Sequence, residues 1–260
     1  MKLIISDLAK AEKFSVIFQN LKSQAENINI DFLDDKVYIQ GMDTSHVSLF
    51  EMTIKKSWFD EYELDSDDLP VIGVSTLFLH KILHTRFPNQ SIEICYTGNP
   101  EYLEISFTSE IKEEYNKSFE IPVMDIDIEK MHIPEIEYDA DLEITTNTLS
   151  KMIDEFAIFD EKLCVTLGND IITLKAGSNF GNMTVSLSVD DVEEYAVEPD
   201  SNATISYSIK HFQQICSYHK ITKIVKMGFS DSNPMMVNYE LDEESCIKFY
   251  LAPSINNDED

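Results

Sequence analysis

The sequence predicts an α+β chain of two similar domains, each with two helices packed on antiparallel sheets. Three observations carry this. Four stretches have helical periodicity while most of the rest alternates with period two. Landmarks of the first half recur in the second at a nearly constant offset. A proline-containing acidic segment separates the halves.

The elements follow in order. In residues 9–24, Phe14, Ile17, Phe18 and Leu21 recur at i, i+3, i+4, i+7, one face of a helix. Residues 75–86 carry Leu79, Ile82 and Leu83 in the same manner. Residues 147–157 carry Leu149, Met152, Ile153 and Phe156, and residues 208–220 carry Ile209, Phe212 and Cys216. Between them lie alternating runs: Val37 and Ile39; Ile92 and Ile94; Leu103, Ile105 and Phe107; Met183, Val185, Leu187 and Val189; Met235, Val237, Tyr239 and Leu241. Alternation sends successive side chains to opposite faces and marks half-buried strands.

The stretch from Ile30, IDFLDDKVYIQ, matches VTLGNDIITLK from Val165: strand, acidic turn, strand. Asn99-Pro100 maps on Asn233-Pro234 at an offset of 134, Asp35 on Asp170 at 135, and Phe18 on Ile153 at 135. Duplication is the reading. Residues 120–138, EIPVMDIDIEKMHIPEIEY, hold two prolines and no glycine, with acids interleaved among Ile121, Val123, Ile126 and Ile128. Such a segment is extended and stiff, a strap over a surface. The expected boundaries are 1–119 for the N-terminal domain, 120–138 for the strap and 139–260 for the C-terminal domain.

With 43% hydrophobic residues a conventional core is expected, and the one low-complexity stretch is the acidic tail 256–260. No apolar run approaches the ~20 residues of a membrane span, and the start from Met1 to Phe14 has no signal-peptide pattern. Cys95, Cys164, Cys216 and Cys246 lie far apart, without metal-ligand spacing, and read as reduced, core-facing thiols. No GxSxG, P-loop, HExxH or Gly-rich phosphate motif is present. The acids fall in solvated runs such as residues 65–68, not in a cleft that would separate their pKa values. Neither an enzyme nor a cofactor or metal site is expected.

The formal charge is −28, from 48 acids and 20 bases, which taken whole opposes nucleic-acid binding. Its distribution does not. The four helical stretches hold eight bases and three acids, net +5. The remainder holds 12 bases and 45 acids, net −33. On a helical projection Lys81, Lys151 and Lys210 lie opposite the apolar stripes, and Lys13 and Lys22 flank the stripe of the first helix. Cationic helix faces in an acidic chain would hold phosphates without reading sequence.

Three segments carry a family resemblance: VYIQGMDTSHVSLFEMTI (37–54), MDIDIEKMHIPEIEY (124–138) and FYLAPSINNDED (249–260). They resemble the front loop, connecting strap and terminus of proliferating cell nuclear antigen, the eukaryotic sliding-clamp family, in order, spacing and total length. The resemblance implies the ring-forming DNA clamp fold: three subunits closing head to tail as a homotrimer around double-stranded DNA, with helices lining the hole. The pairing edges would come from about residues 114–123 and 180–187. The DNA-facing cations would be Lys10, Lys13, Lys22, Lys81, Lys151 and Lys210.

The resemblance further implies no catalysis, loading by an ATP-driven clamp loader, and service as a polymerase processivity factor in the nucleus, or in a viral replication compartment. DNA polymerase, ligase, nucleases and repair proteins would bind through a short peptide bearing a glutamine and two aromatics. The residues matching that peptide's pocket are Gln40, Met42, His46, Val47 and Leu49, then Met131 and Ile133, then Pro234, Tyr250, Ala252 and Pro253. Apolar and thioether groups suit such an adaptable pocket. Departures from the family pattern are Met131 where Leu is usual and His132 where a small residue is common. Ser15 and Val16 stand at paired lysine positions, and Asp154 and Ser217 at cationic ones. The turn 167–170 lacks the lysine that accepts ubiquitin in the family. An alternative is a subunit of a heterotrimeric checkpoint-type or viral clamp with the same fold.

Overall fold

The computed structural model describes residues 1–64, 71–96, 102–127, 129–198 and 203–254. The acidic run 65–68, the Asn99-Pro100 landmark, strap residue Ile128 and the acidic tail lie outside the described residues. Two compact units emerge. The first holds Met1–Asp43, Glu51–Met131 and Leu241–Ile247; the second holds Thr44–Phe50, His132–Glu240 and the chain from Lys248.

The chain begins with β1 (Lys2–Ile5), α1 (Leu8–Asn20), β2 (Asn27–Phe32), β3 (Lys36–Met42) and β4 (Ser48–Lys55). It continues with β5 (Glu61–Glu63), β6 (Val71–Ser75), α2 (Thr76–Leu83), β7 (Ser91–Cys95), β8 (Tyr102–Thr108) and β9 (Lys117–Pro122). One sheet has the order β5-β1-β7-β8-β9, and β6-β2-β3-β4 run as neighbours in a second. Asp7 starts α1: its carboxylate accepts from the amides of Ala9 at 2.8 Å and Lys10 at 3.0 Å, satisfying donors that the helix leaves unpaired. Those bonds hold its pKa below the usual carboxylate range. The stripe of Phe14, Ile17 and Phe18 on α1, continued by Leu21 just past its end, is buried. Phe14, Phe18 and Leu79 of the helices meet Leu3, Ile94 and Leu103 of the first sheet and Ile30 and Val37 of the second around one apolar gap. Each such side chain contributes roughly 1.5–3 kcal/mol by leaving water.

The second half runs β10 (Ala140–Thr145), α3 (Thr146–Phe156), β11 (Lys162–Thr166), β12 (Ile171–Ser178), β13 (Gly181–Ser188) and β14 (Glu194–Val197). Then come β15 (Thr204–Ser208), α4 (Ile209–Cys216), β16 (Ile224–Phe229), β17 (Met235–Glu240) and β18 (Cys246–Leu251). Its strand orders are β14-β10-β16-β17-β18 and β15-β11-β12-β13. Every strand has moved up by nine from its counterpart in the first half, and α3 and α4 fall where α1 and α2 do. The duplication read from three landmarks is therefore complete in topology. Phe18 and Ile153 are both buried in the first helix of their halves. Asp35 and Asp170 each precede the second strand of a hairpin, at β2–β3 and β11–β12.

Several expectations need correction. Helices α2 and α4 stop at Leu83 and Cys216, short of the predicted 86 and 220. Pro88 disfavours helical backbone just ahead of it, and Arg86 lies beyond α2 with its side chain 2% exposed. Its guanidinium donates to Ser15 Oγ at 2.9 Å and to the carbonyl of Gln90 at 2.8 Å, and it pairs with Glu12. Arg86 ties α1 to the loop after α2 and adds no charge to a helix face. Val189, read as strand, opens a 3-10 turn capped by Ser188 and Asp191. Of the four thiols, all unbridged, only Cys216 is buried; Cys95, Cys164 and Cys246 are half-buried, because they occupy outward positions of their strands. The segment expected to begin the strap at 120 is still sheet as far as Pro122.

Candidate nucleic-acid interface and partner surface

On the helices of the first unit, the predicted cations divide by what holds them. Lys10 donates to the Trp58 carbonyl at 2.7 Å and lies 5.4 Å from the Trp58 ring centroid, so its charge is already engaged. Lys22 donates to His80 Nε2 at 2.9 Å, while His80 Nδ1 sits 3.0 Å from the Gln19 carbonyl. This network puts the ring proton on Nδ1 and leaves Nε2 as acceptor. His84 stacks on His80 with centroids 5.7 Å apart. Lys81 is exposed, its ammonium 5.8 Å from the Phe78 ring, and Lys13 is half-buried.

In the second unit Lys151 and Lys210 are both exposed. Asp154, the acid at an expected cationic position, accepts from Gln213 at 2.9 Å and so bridges α3 to α4. Ion pairs among the described residues include Lys2–Glu61, Lys55–Asp35, Arg86–Glu12, Lys130–Asp31, and Lys226 with Glu143 and Glu240. Lys81, Lys151 and Lys210 stand in none of these and are uncompensated. Sequence reasoning missed the histidines, His80 on α2, His84 just past its end and His211 on α4; their recurrence on or beside cationic helices was the available signal.

The residues matched to the peptide pocket fall in both units. In the first, Gln40 is 7% exposed and faces the strap: Nε2 donates to the Met131 carbonyl at 2.9 Å and Oε1 accepts from the Met131 amide at 2.7 Å. Met131 itself is 54% exposed, and Met42 is half-buried. In the second unit, the Ala252 amide donates to the Val47 carbonyl at 2.9 Å, joining front loop to terminal segment. His46 turns that loop at φ 57°, the one positive φ outside glycine among the described residues. Ser45 Oγ lies 3.1 Å from His211 Nε2, fastening the loop to the start of α4. Val47, Leu49, Ile133, Pro234, Tyr250, Ala252 and Pro253 are all half-buried, as the walls of a shallow apolar surface would be. Behind them Phe249 packs against Tyr218 at 4.8 Å between ring centroids and against Tyr239 at 6.2 Å.

Two sheet edges complete the picture, each within one unit. β13 ends its sheet, and its residues GNMTVSLS carry no charge in a chain where 26% of residues do. Phe180 at the hairpin tip is 100% exposed, and Ile158, Ile171 and Val189 are exposed as well. β9 ends the first sheet. There Lys117 lies 3.8 Å from the Phe87 ring centroid, Phe87 meets Tyr115 edge-on at 5.4 Å, and Tyr115 and Ile111 are exposed.

The family descriptions for the N-terminal and C-terminal domains of proliferating cell nuclear antigen match residues 4–131 and 132–254. The chain belongs to the proliferating cell nuclear antigen family. It is 26% identical to proliferating cell nuclear antigen of Chaetomium thermophilum, covering 97% of this chain and 98% of that one. It is 28% identical to "Probable DNA polymerase sliding clamp 2" of Paramecium bursaria Chlorella virus 1, covering 100% and 93%. Its fold is that of a chain in the PCNA2–PCNA3 complex of Sulfolobus tokodaii, with a TM-score of 0.85 at 23% identity over 97% of this chain and 99% of that one. Within this family fold, no group of three or more His, Cys, Asp or Glu residues among those described is placed to hold a metal ion. No described helix is long and apolar enough to cross a membrane.

Proposed function

We propose that this chain is a sliding DNA clamp and polymerase processivity factor: three copies close into a ring on double-stranded DNA, and the ring tethers replication and repair proteins without catalysing a reaction. The observation that carries the DNA reading is the uncompensated trio Lys81, Lys151 and Lys210 on helix faces, in a chain of net charge −28. Phosphate contacts of this kind are insensitive to base sequence and leave the ring free to slide. The acidic remainder repels duplex from every other surface.

Self-assembly rests on β9 and β13. A long, uncharged edge strand with an exposed phenylalanine at its tip invites pairing, and proteins cover such edges. Joining unlike edges head to tail closes a ring when the rotation closes. Residues 1–122, through the end of β9, and 139–260 serve as the two clamp domains and 123–138 as the strap. Gln40, Met42, His46, Val47, Leu49, Met131, Ile133, Pro234, Tyr250, Ala252 and Pro253 serve the partner peptide of polymerase, ligase and nucleases. A clamp loader opens the ring, in the nucleus or a viral replication compartment.

The test is retention on nicked circular DNA after loading. Lys81→Glu, Lys151→Glu and Lys210→Glu together are expected to shorten residence while the oligomeric mass stays that of the parent. Unchanged residence would remove these helices from the DNA-facing surface.

A further inference from the structure

Within the first unit the strap is fastened at four points, one on β6 and three on the neighbouring β2–β3 hairpin. The Met124 amide donates to the Gly73 carbonyl at 2.8 Å, as an added strand residue would. Gly73 is required there, because a Cβ would sit 2.3 Å from the Met124 carbonyl oxygen. Asn29 Nδ2 donates to the Ile126 carbonyl at 2.9 Å. Lys130 pairs with Asp31, and Gln40 makes the reciprocal donor and acceptor bonds to Met131. Asn29 and Gln40 are cross-strand partners, as are Asp31 and Tyr38, so the fastening groups form one patch.

Gln40 behaves as a substitute strand. Its amide gives residue 131 the two bonds that a neighbouring peptide unit would give. The same Nε2 lies 3.2 Å from Tyr38 Oη, which donates to Glu51 at 3.2 Å. Burial, then the nearby Glu51 charge, pushes the Tyr38 hydroxyl up to about 12, so it remains a donor at every physiological pH. The Asp31 carboxylate is 1% exposed, and its Oδ1 is buried without a hydrogen-bond partner. The Lys130 side chain is half exposed, so the pair combines a buried carboxylate with a solvated ammonium. Desolvating the carboxylate offsets much of what the ion pair returns, so the fastening adds little net stability.

We infer that Asn29, Asp31 and Gln40 are positioning residues for partner binding, holding the strap in one register so that the exposed Met131 side chain is presented preformed. Gln40 then acts through Met131 and does not touch the peptide. The inference rests on the peptide-binding role of Met131 proposed above. A preordered contact loses less freedom on binding, so the fastening adds to affinity without adding contact.

The experiment uses the intact ring and a labelled peptide bearing one glutamine and two aromatics. Gln40→Met keeps the side-chain length and removes both bonds. It is expected to speed hydrogen exchange at the residue 131 amide and to weaken peptide binding by about tenfold, the scale of two hydrogen bonds. Oligomeric mass is expected to stay unchanged. Met131→Ala is expected to weaken the peptide while leaving exchange at residue 131 as in the parent, a separation that a merely structural role would not produce. Unchanged exchange in Gln40→Met overturns the fastening. Faster exchange with unchanged affinity overturns the positioning role. If the parent ring binds no such peptide, the peptide-binding reading itself fails, and exchange still decides whether Gln40 holds the strap. Should Gln40→Met not assemble, Asp31→Asn, which removes only the Lys130 ion pair, takes its place; about threefold weaker binding is expected, on the scale of half a typical hydrogen bond, and no change overturns the proposal.

Discussion

Replacing Phe180 by Ser separates assembly from folding, because Phe180 is 100% exposed and buries nothing within its own chain. Loss of its ring therefore leaves the folded subunit's core intact. In a closed ring the same ring of atoms leaves water at each of three contacts, and burying a phenylalanine is worth roughly 2 kcal/mol. Three contacts make about 6 kcal/mol, or about four decades in the three-body association constant. The midpoint concentration varies as the inverse square root of that constant, so it rises about a hundredfold. Sedimentation velocity across a dilution series reads this directly, with circular dichroism confirming unchanged secondary structure. Assembly of Phe180→Ser within about threefold of the parent's midpoint would refute the assignment of the β13 edge as a subunit contact.

Other outcomes are expected. Gly228→Ala places a Cβ 2.5 Å from the Tyr138 ring, so the ring must leave its seat; a cost of about 1–3 kcal/mol follows, as for overpacked cores, and an unchanged thermal midpoint would contradict the contact. Cys216 is buried and its thiol is pushed up in pKa by desolvation. It should resist a maleimide at pH 8 until the chain unfolds, and labelling of the native protein at Cys216 would show that α4 opens. Tyr250→Ala should abolish peptide binding with assembly intact; unaltered affinity would remove Tyr250 from the partner surface.

Much of this was legible because its signal is periodic. The stripes Phe14–Leu21 and Leu149–Phe156 need only the helical repeat, and they are buried as that repeat requires. The halves could be aligned because Asp35 and Asp170 sit in hairpin turns, where local chemistry constrains the residue. What could not be read depends on contacts distant in sequence. Asn29 and Asp31 alternate with Ile28 and Ile30 in the strand, and only the fold brings residues 126 and 130 to them. Arg86 is a helix cation by sequence, yet curls onto Ser15 and Gln90. Phe180, placed by resemblance at the start of a pairing edge, stands wholly in solvent in the single chain. Gln40 was matched to the family's pocket, and its amide bonds to the strap were not legible in the sequence.

Topological linkage tests the central claim most directly. Loaded by a clamp loader onto nicked circular duplex and washed at high salt, the protein should stay bound, then leave when a single cut makes the duplex linear. High salt screens the lysine contacts, so what remains is enclosure. Equal loss from circular and linear DNA, or equal retention on both, would contradict a closed ring that slides.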